Sequence, residues 1–270
     1  MKYFITYGDE NYEQSKRRIA AEAIATGNFD QVVTYSRKDL DKEFLTSPLF
    51  NYRKGGGYFV WKPYIVEKTL EQMHEGDLLV YADCGCTVFR SREWKKYFGL
   101  LEKYNGVVFM LPLTCEAYTR KNVLDNYTAI GKHWKKRYQV SATFFLFKKN
   151  RQTMAFAREW KETMVRNPEF VVDVQQELLH NESPKFVENR YDQSVFSALA
   201  YKYEKEYGLK ILFHHFEGYD RFLKQALVAT RISDTEVRGG NKRPVLKNIL
   251  YYLLAMPYRR LYQKIWVLRK

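Results

Sequence analysis

At 270 residues, with 46% hydrophobic and 17% aromatic content, the chain can bury a substantial core and is too apolar to be disordered or low-complexity. Three cysteines cannot build a disulfide framework at this length, which points to a reducing, cytoplasmic compartment. The net charge of +14 is uneven: nine Lys and Arg and no acid follow Glu236, leaving about +5 for the rest, an ordinary balance that argues against a dedicated nucleic-acid binder.

In chain order, KYFITY (2–7) reads as a strand and residues 10–26 as a helix of good helix formers. QVVTYS (31–36) is the next strand, and KPYIVEKTLEQMH (62–74) a helix with Pro63 in its first turn. The glycines at 55–57 belong to neither a Gly-Lys-Ser/Thr nor a GxGxxG motif. They read as a mobile loop allowing close backbone approach to a ligand or, equally, as a surface turn. Next come the strand DLLVYA (77–82), the helix REWKKYFGLLEKY (92–104) and the strand GVVFMLPL (106–113). SATFFLFKK (141–149) is a strand, 151–167 and 191–207 are helices, and KILFHH (210–215) is a last strand. The alternation predicts an α/β domain with a mostly parallel, doubly wound sheet, and ligands in such sheets sit beyond the carboxyl ends of the strands. Tyr7, Asp83 and His214 fall at such ends. The opening MKYFITYGDENYEQSKRR has no signal-peptide apolar run, and no stretch of about 18 uncharged apolar residues predicts a membrane span.

Asp83 closes an apolar run and is followed by Cys84, Gly85 and Cys86. A C-x-C pair without a second pair is a poor zinc or redox signal, so the cysteines read as buried thiols filling small spaces. A carboxylate at a strand end is an anchor ligand for a hard divalent cation, and Gly85 beside it would let a diphosphate approach the backbone. A structural role for Asp83 stands beside that reading. Asp192 and Gln193 open a helix; capping would explain the acid but not the amide. His214 and His215 are adjacent on a strand and point to opposite sides, so one of them at most faces the ligand edge. His74, His133 and His180 lie in charged stretches and are expected to face solvent.

The order GYFVWKPYIV, GDLLVYADCGC, RYDQSVFSAL and HFEG resembles nucleotide-sugar glycosyltransferases of the GT-A fold, chiefly bacterial capsular and lipopolysaccharide transferases, over about residues 1–230. The resemblance implies that Asp83 matches the first acid of an Asp-x-Asp motif holding manganese or magnesium on a nucleoside-diphosphate sugar, with Gly85 departing at the second. It implies His215 as a further metal ligand, Gly218 against the diphosphate, Lys62 near the donor phosphates and Tyr7 near the base or ribose. Asp192 and Gln193 would sit by the anomeric carbon and acceptor. A UDP-sugar donor is implied, and likeness to glycogenin-like enzymes favours retention, with Gln193 or Asp192 on the back face, over inversion, in which Asp192 would be the base. The alternative is a catalytically weak nucleotide-sugar or lipid-glycan binding protein.

The transferase domain is expected over 1–237. In 238–270, Val245, Leu246, Ile249, Leu250, Leu253 and Leu254 recur at helical spacing. After Pro257 the pattern resumes with Leu261, Ile265 and Trp266, while Arg259, Arg260 and Lys264 lie on the other face. This predicts a basic amphipathic tail on an anionic membrane surface, suited to a polyprenyl-linked glycan acceptor at the inner face of the cell membrane. Packing on the domain or a dimer contact is the other use for it. Nucleic-acid binding is not expected, and the oligomeric state is not readable.

Overall fold

The computed structural model describes residues 1–131, 133–218 and 224–234. β1 (Lys2–Tyr7) lies between β2 (Gln31–Tyr35) and β3 (Leu78–Ala82) and runs parallel to both. Beyond β3 the order continues through β7 (Phe144–Lys148) to β5 (Gly106–Thr114), whose other edge takes β8 (Leu209–Phe213). The short strands β4 (Thr87–Val88) and β9 (Leu227–Val228) pair separately. Five of the seven strands in the main sheet point the same way. The run at 141–149, expected in a mostly parallel sheet, is antiparallel to both of its neighbours. It is preceded by β6 (Tyr138–Val140), a strand the sequence reading lacks, which continues the same path along β5. The path breaks at Ser141–Thr143, where Ser141 N still donates to Phe109 O at 2.7 Å.

The strands read as unbroken apolar runs because both faces are covered. Ile5, Leu79, Tyr81, Phe145 and Phe147 pack on one side with residues of α3 (Trp61–Gln72), α7 (Arg151–Arg166) and α8 (Asp192–Glu206). Phe4, Val80, Ala82, Phe144 and Leu146 pack on the other, with Ile19 and Ala23 of α1 (Glu13–Thr26) and Trp94, Tyr97 and Leu101 of α4 (Glu93–Lys103). Alternate strand residues go to opposite layers, as the pleat requires. Each of these buried aromatic or aliphatic side chains contributes roughly 1.5–3 kcal/mol by leaving water. α7 starts where the Asn150 side chain accepts from Thr153 N at 3.0 Å while Thr153 Oγ1 accepts from Asn150 N at 3.2 Å.

Before α3 the chain makes one turn, α2 (Gly55–Tyr58), and it is left-handed. Gly55, Gly56, Gly57, Tyr58 and Phe59 all have positive φ, between 52° and 102°. Three glycines are needed because a left-handed turn presses each Cβ toward a carbonyl oxygen. The stretch 115–136, which has no readable periodicity, holds two short helices, α5 (Cys115–Tyr118) and α6 (Lys121–Asn126), and two 3₁₀ turns. Met1–Asp234 form one compact unit. The boundary expected at 237 and the tail over 238–270 lie outside the described residues. No helix among the described residues is long and apolar enough to cross a membrane.

Candidate active site

The pleat that buries Leu79 and Tyr81 sends Asp83 to the same side of the sheet as α3 and α8. Asp83 lies beside the β1 end, where a cavity of about 400 Å³ opens. Its walls are Tyr7, Tyr12, Phe59 and Trp61, the carboxylates Asp9 and Asp83, the cations Arg53 and Arg231, and the backbone of Gly8, Gly55, Gly56 and Gly85. Tyr7 stacks on Trp61 with ring centroids 3.8 Å apart and planes 13° from parallel. Burial, with Asp9 nearby, pushes the Tyr7 phenol up to about 12, so it stays a neutral hydrogen-bonding group.

Beneath the cavity Lys62 is buried, with Nζ 3.2 Å from Asp83 Oδ1, 2.9 Å from Asp192 Oδ2 and 3.2 Å from Ala142 O. Ala142 O is available because the β6–β7 path breaks there. Burial alone would depress the ammonium, but the Asp192 and Asp83 carboxylates outweigh it and hold Lys62 above its ordinary value. The rings of Phe59, Tyr81 and Trp61 stand 5.3–5.7 Å from Nζ. Tyr81 OH donates to Asp83 Oδ1 at 2.5 Å. Asp192 is buried so completely that desolvation wins over Lys62, and its carboxyl is pushed up to about 6. Its Oδ2 is close to the ammonium but receives no aligned hydrogen bond. Asp83, in contrast, keeps 36% of its side chain exposed.

The left-handed turn is clamped from outside. Lys54 Nζ lies 2.9 Å from both oxygens of Asp173, Tyr58 OH donates to Asp173 Oδ2 at 2.9 Å and Tyr191 OH to Oδ1 at 3.2 Å. From inside, Trp61 Nε1 donates to Gly55 O at 2.8 Å. The opposite lip of the cavity is the segment 229–232, which rides on Gly85: Ile232 N donates to Gly85 O at 3.0 Å and Thr230 Oγ1 to the same oxygen at 2.8 Å.

Of the expected site residues, Tyr7, Asp83 and Gly85 line the cavity, and Lys62 and Asp192 form the buried pair beneath it. Lys62 is expected beside donor phosphates; its ammonium instead spans two carboxylates and a carbonyl under the floor. Gln193, expected at the reacting centre, turns its amide to Gln139 Oε1 at 2.5 Å. His215, expected as a metal ligand, has Nε2 2.5 Å from Glu93 Oε1 on α4. Gly218 accepts from Gln225 at 2.8 Å, and none of these last three lines the cavity. Asp192 does not cap its helix with its side chain, because the carboxylate is turned to Lys62. Cys84 and Cys86 are buried, as expected; burial and then Asp83 push the Cys84 thiol up to about 12, so no thiolate is poised there at neutral pH. His74, His133 and His180 are exposed. Arg53, Arg231, Trp61 and Asp173 are additions that sequence reasoning does not single out. Only Trp61, next to Lys62 in the quoted motif, carries a local signal.

A manganese or magnesium ion held by the protein without a nucleotide would need several oxygen ligands from its side chains, whereas one that bridges a diphosphate needs one or two. Among the described residues no three His, Cys, Asp or Glu side chains converge on one point. One Asp83 oxygen already takes Tyr81 and Lys62, so the described side chains alone offer no closed ligand set for such an ion, and Asp83 could give it one oxygen at most.

No protein-family model matches the chain, and no curated protein matches it in sequence. Among solved structures, the chain is similar to 4-diphosphocytidyl-2C-methyl-D-erythritol synthase of Anaerococcus prevotii, at 11% identity and a TM-score of 0.40 over 82% of this chain and 91% of that one. It is also similar to apo mouse xyloside xylosyltransferase 1, at 10% identity and 0.44 over 78% and 85%. A third is the galactosyltransferase LgtC with donor and acceptor sugar analogues, at 14% identity and 0.36 over 77% and 72%. All three scores are below 0.5, and the functional reading rests on the cavity.

Proposed function

We propose that the chain transfers a sugar from a nucleoside-diphosphate sugar to a glycan acceptor. The observation that carries this reading is the cavity beyond β1 and β3, where the stacked Tyr7 and Trp61 share one wall system with Asp83. Aromatic rings suit a nucleobase, and a partly exposed carboxylate suits a sugar hydroxyl. Tyr81 donates to Asp83 Oδ1, which is also the oxygen nearer Lys62, so Oδ2 is the one to accept from that hydroxyl. Lys62 and Asp192 are positioning residues: they fix where the Asp83 carboxylate points and do not touch substrate. Such fixing is worth rate because a misplaced group must first be reoriented.

The motif resemblance carries the finer reading of a UDP-sugar donor, a polyprenyl-linked acceptor, retention of configuration and work at the inner membrane face in surface polysaccharide synthesis. A panel of nucleoside-diphosphate sugars tested by thermal shift identifies the donor, since a bound ligand raises apparent stability by mass action. Asp83→Ala should then lose about a hundredfold or more in transfer or donor hydrolysis while still melting cooperatively, at a temperature lowered because Tyr81 and Lys62 lose a partner. Turnover near the parent's in that variant would sink the reading. A second reading, a nucleotide-sugar binding protein without turnover, is favoured by the turning of Gln193 away from the cavity. It predicts thermal stabilisation by the same sugars and no product.

A further inference from the structure

Transfer leaves a diphosphate behind, and the carboxylates at the cavity cannot neutralise it. Two guanidiniums line the same cavity. Arg53 precedes the left-handed turn, is exposed, and makes no ion pair among the described residues. Arg231 keeps 60% of its side chain exposed and holds Glu217 Oε2 at 2.6 Å, one acceptor for a group with five donors. Its backbone has φ 57°, a conformation a non-glycine residue adopts only when its surroundings enforce it.

Those surroundings are specific. Ala229 N donates to Phe216 O at 2.7 Å, Thr230 shares a hydroxyl contact with Thr87 at 2.9 Å, and Ile232 N and Thr230 Oγ1 both end on Gly85 O. Three residues on, Asp234 accepts from Ser15 N at 2.8 Å and Gln14 N at 3.1 Å in the first turn of α1. A Cβ at position 85 would stand 3.2 Å from Ile232 O and 3.4 Å from Arg231 Cα. An acid at that position would therefore press on the segment that presents Arg231 and set its charge beside a carbonyl oxygen. Glycine there lets the arginine-bearing segment lie against the backbone two residues beyond Asp83, at the same cavity.

We infer that Arg231, together with Arg53, binds the diphosphate of the donor, in place of a divalent cation, and that Gly85 is the residue that permits it. The inference rests on the glycosyltransferase reading. Two planar guanidiniums match a diphosphate in charge and in paired hydrogen bonds.

The test uses the full-length protein and UDP, with GDP, CDP and ADP alongside, titrated by calorimetry in EDTA and again in manganese chloride. UDP should bind with the same affinity in both. Arg231→Gln should weaken it about tenfold or more, the scale of losing charge-assisted hydrogen bonds. Arg231→Gly relieves the positive φ and should weaken it as much, whereas Arg17→Gln, on the exposed face of α1, should not. Gly85→Asp should lower UDP affinity in both buffers and confer no manganese dependence. UDP binding that requires manganese, or that Arg231→Gln leaves unchanged, overturns the inference while the glycosyltransferase reading stands. If none of the four nucleotides binds in either buffer, both fall together.

Discussion

Asp192 has one cation near it and almost no water, and the balance goes against its charge: burial pushes the carboxyl up to about 6 despite Lys62 at 2.9 Å. In the unfolded chain the same group releases its proton near the ordinary value of about 3.9. The folded state thus binds this proton more tightly, and the stability it brings is complete below about pH 4 and lost as pH rises to about 6. Two pH units correspond to at most about 3 kcal/mol. Asp192→Asn removes the titration, so the variant should gain on the parent by up to that amount between pH 4 and pH 7. Urea unfolding of both proteins at the two values reads the difference; a difference that does not change with pH would show that Lys62 fully offsets the burial. Of the two carboxylates on Lys62 only Asp83 reaches the cavity, so under the proposed function it and not Asp192 is the one a substrate would meet.

The element that shapes the cavity mouth is the left-handed turn ahead of α3. Tyr58 and Phe59 each carry a backbone cost of about 1–2 kcal/mol there, offset by the Asp173 clamp and by the Trp61 bond to Gly55 O. Gly57, at φ 102°, would place a Cβ 3.1 Å from Leu49 O. Gly57→Ala should therefore cost about 1–3 kcal/mol, and the melting temperature should fall by about 2–4 °C for each of those kcal/mol. Gly99 is the matched control: it lies inside α4 with open space where a Cβ would go. Gly99→Ala should be neutral or stabilising by up to about 1 kcal/mol. Equal effects at the two positions would mean that the turn carries no strain. Because Arg53, Gly55, Gly56 and Phe59 all line the cavity, Gly57→Ala should also weaken donor binding.

At the scale of the whole molecule, Met1–Asp234 is a compact unit that holds both core layers of the described residues, so a chain ending at Gly240 should fold with a cooperative melt and keep donor binding. The nine cations after Glu236 fall almost entirely in the part removed. If the tail meets an anionic membrane, each Lys or Arg near the surface contributes about 1 kcal/mol. Full-length protein should then float with anionic liposomes at low salt and the truncated chain should not. An insoluble truncated chain, or full-length protein that stays at the bottom of the gradient, would make the tail packed structure instead.

The sequence by itself determines the layers. Apolar runs and helical spacing are local patterns, so β1, β3, β5, α1, α4 and α7 can be read from their own residues, and Asp83 is visible because a carboxylate ends a buried run. The direction of β7 is not local: Phe144–Lys148 has the same composition whether it runs with β3 or against it, and only its pairing decides. The handedness of the turn at 55–58 is hidden for the same reason, since three glycines permit several conformations and Asp173, over a hundred residues away, helps select one. The motif resemblance makes Lys62 a phosphate ligand. Packing of α3 against the sheet, and the start of α8, bury it between Asp83 and Asp192. Arg231 has no motif at all. Its place at the cavity comes from the hydrogen bonds that Ile232 N and the Thr230 hydroxyl make to Gly85 O, between residues about 145 positions apart, and these leave no trace in the spacing of either.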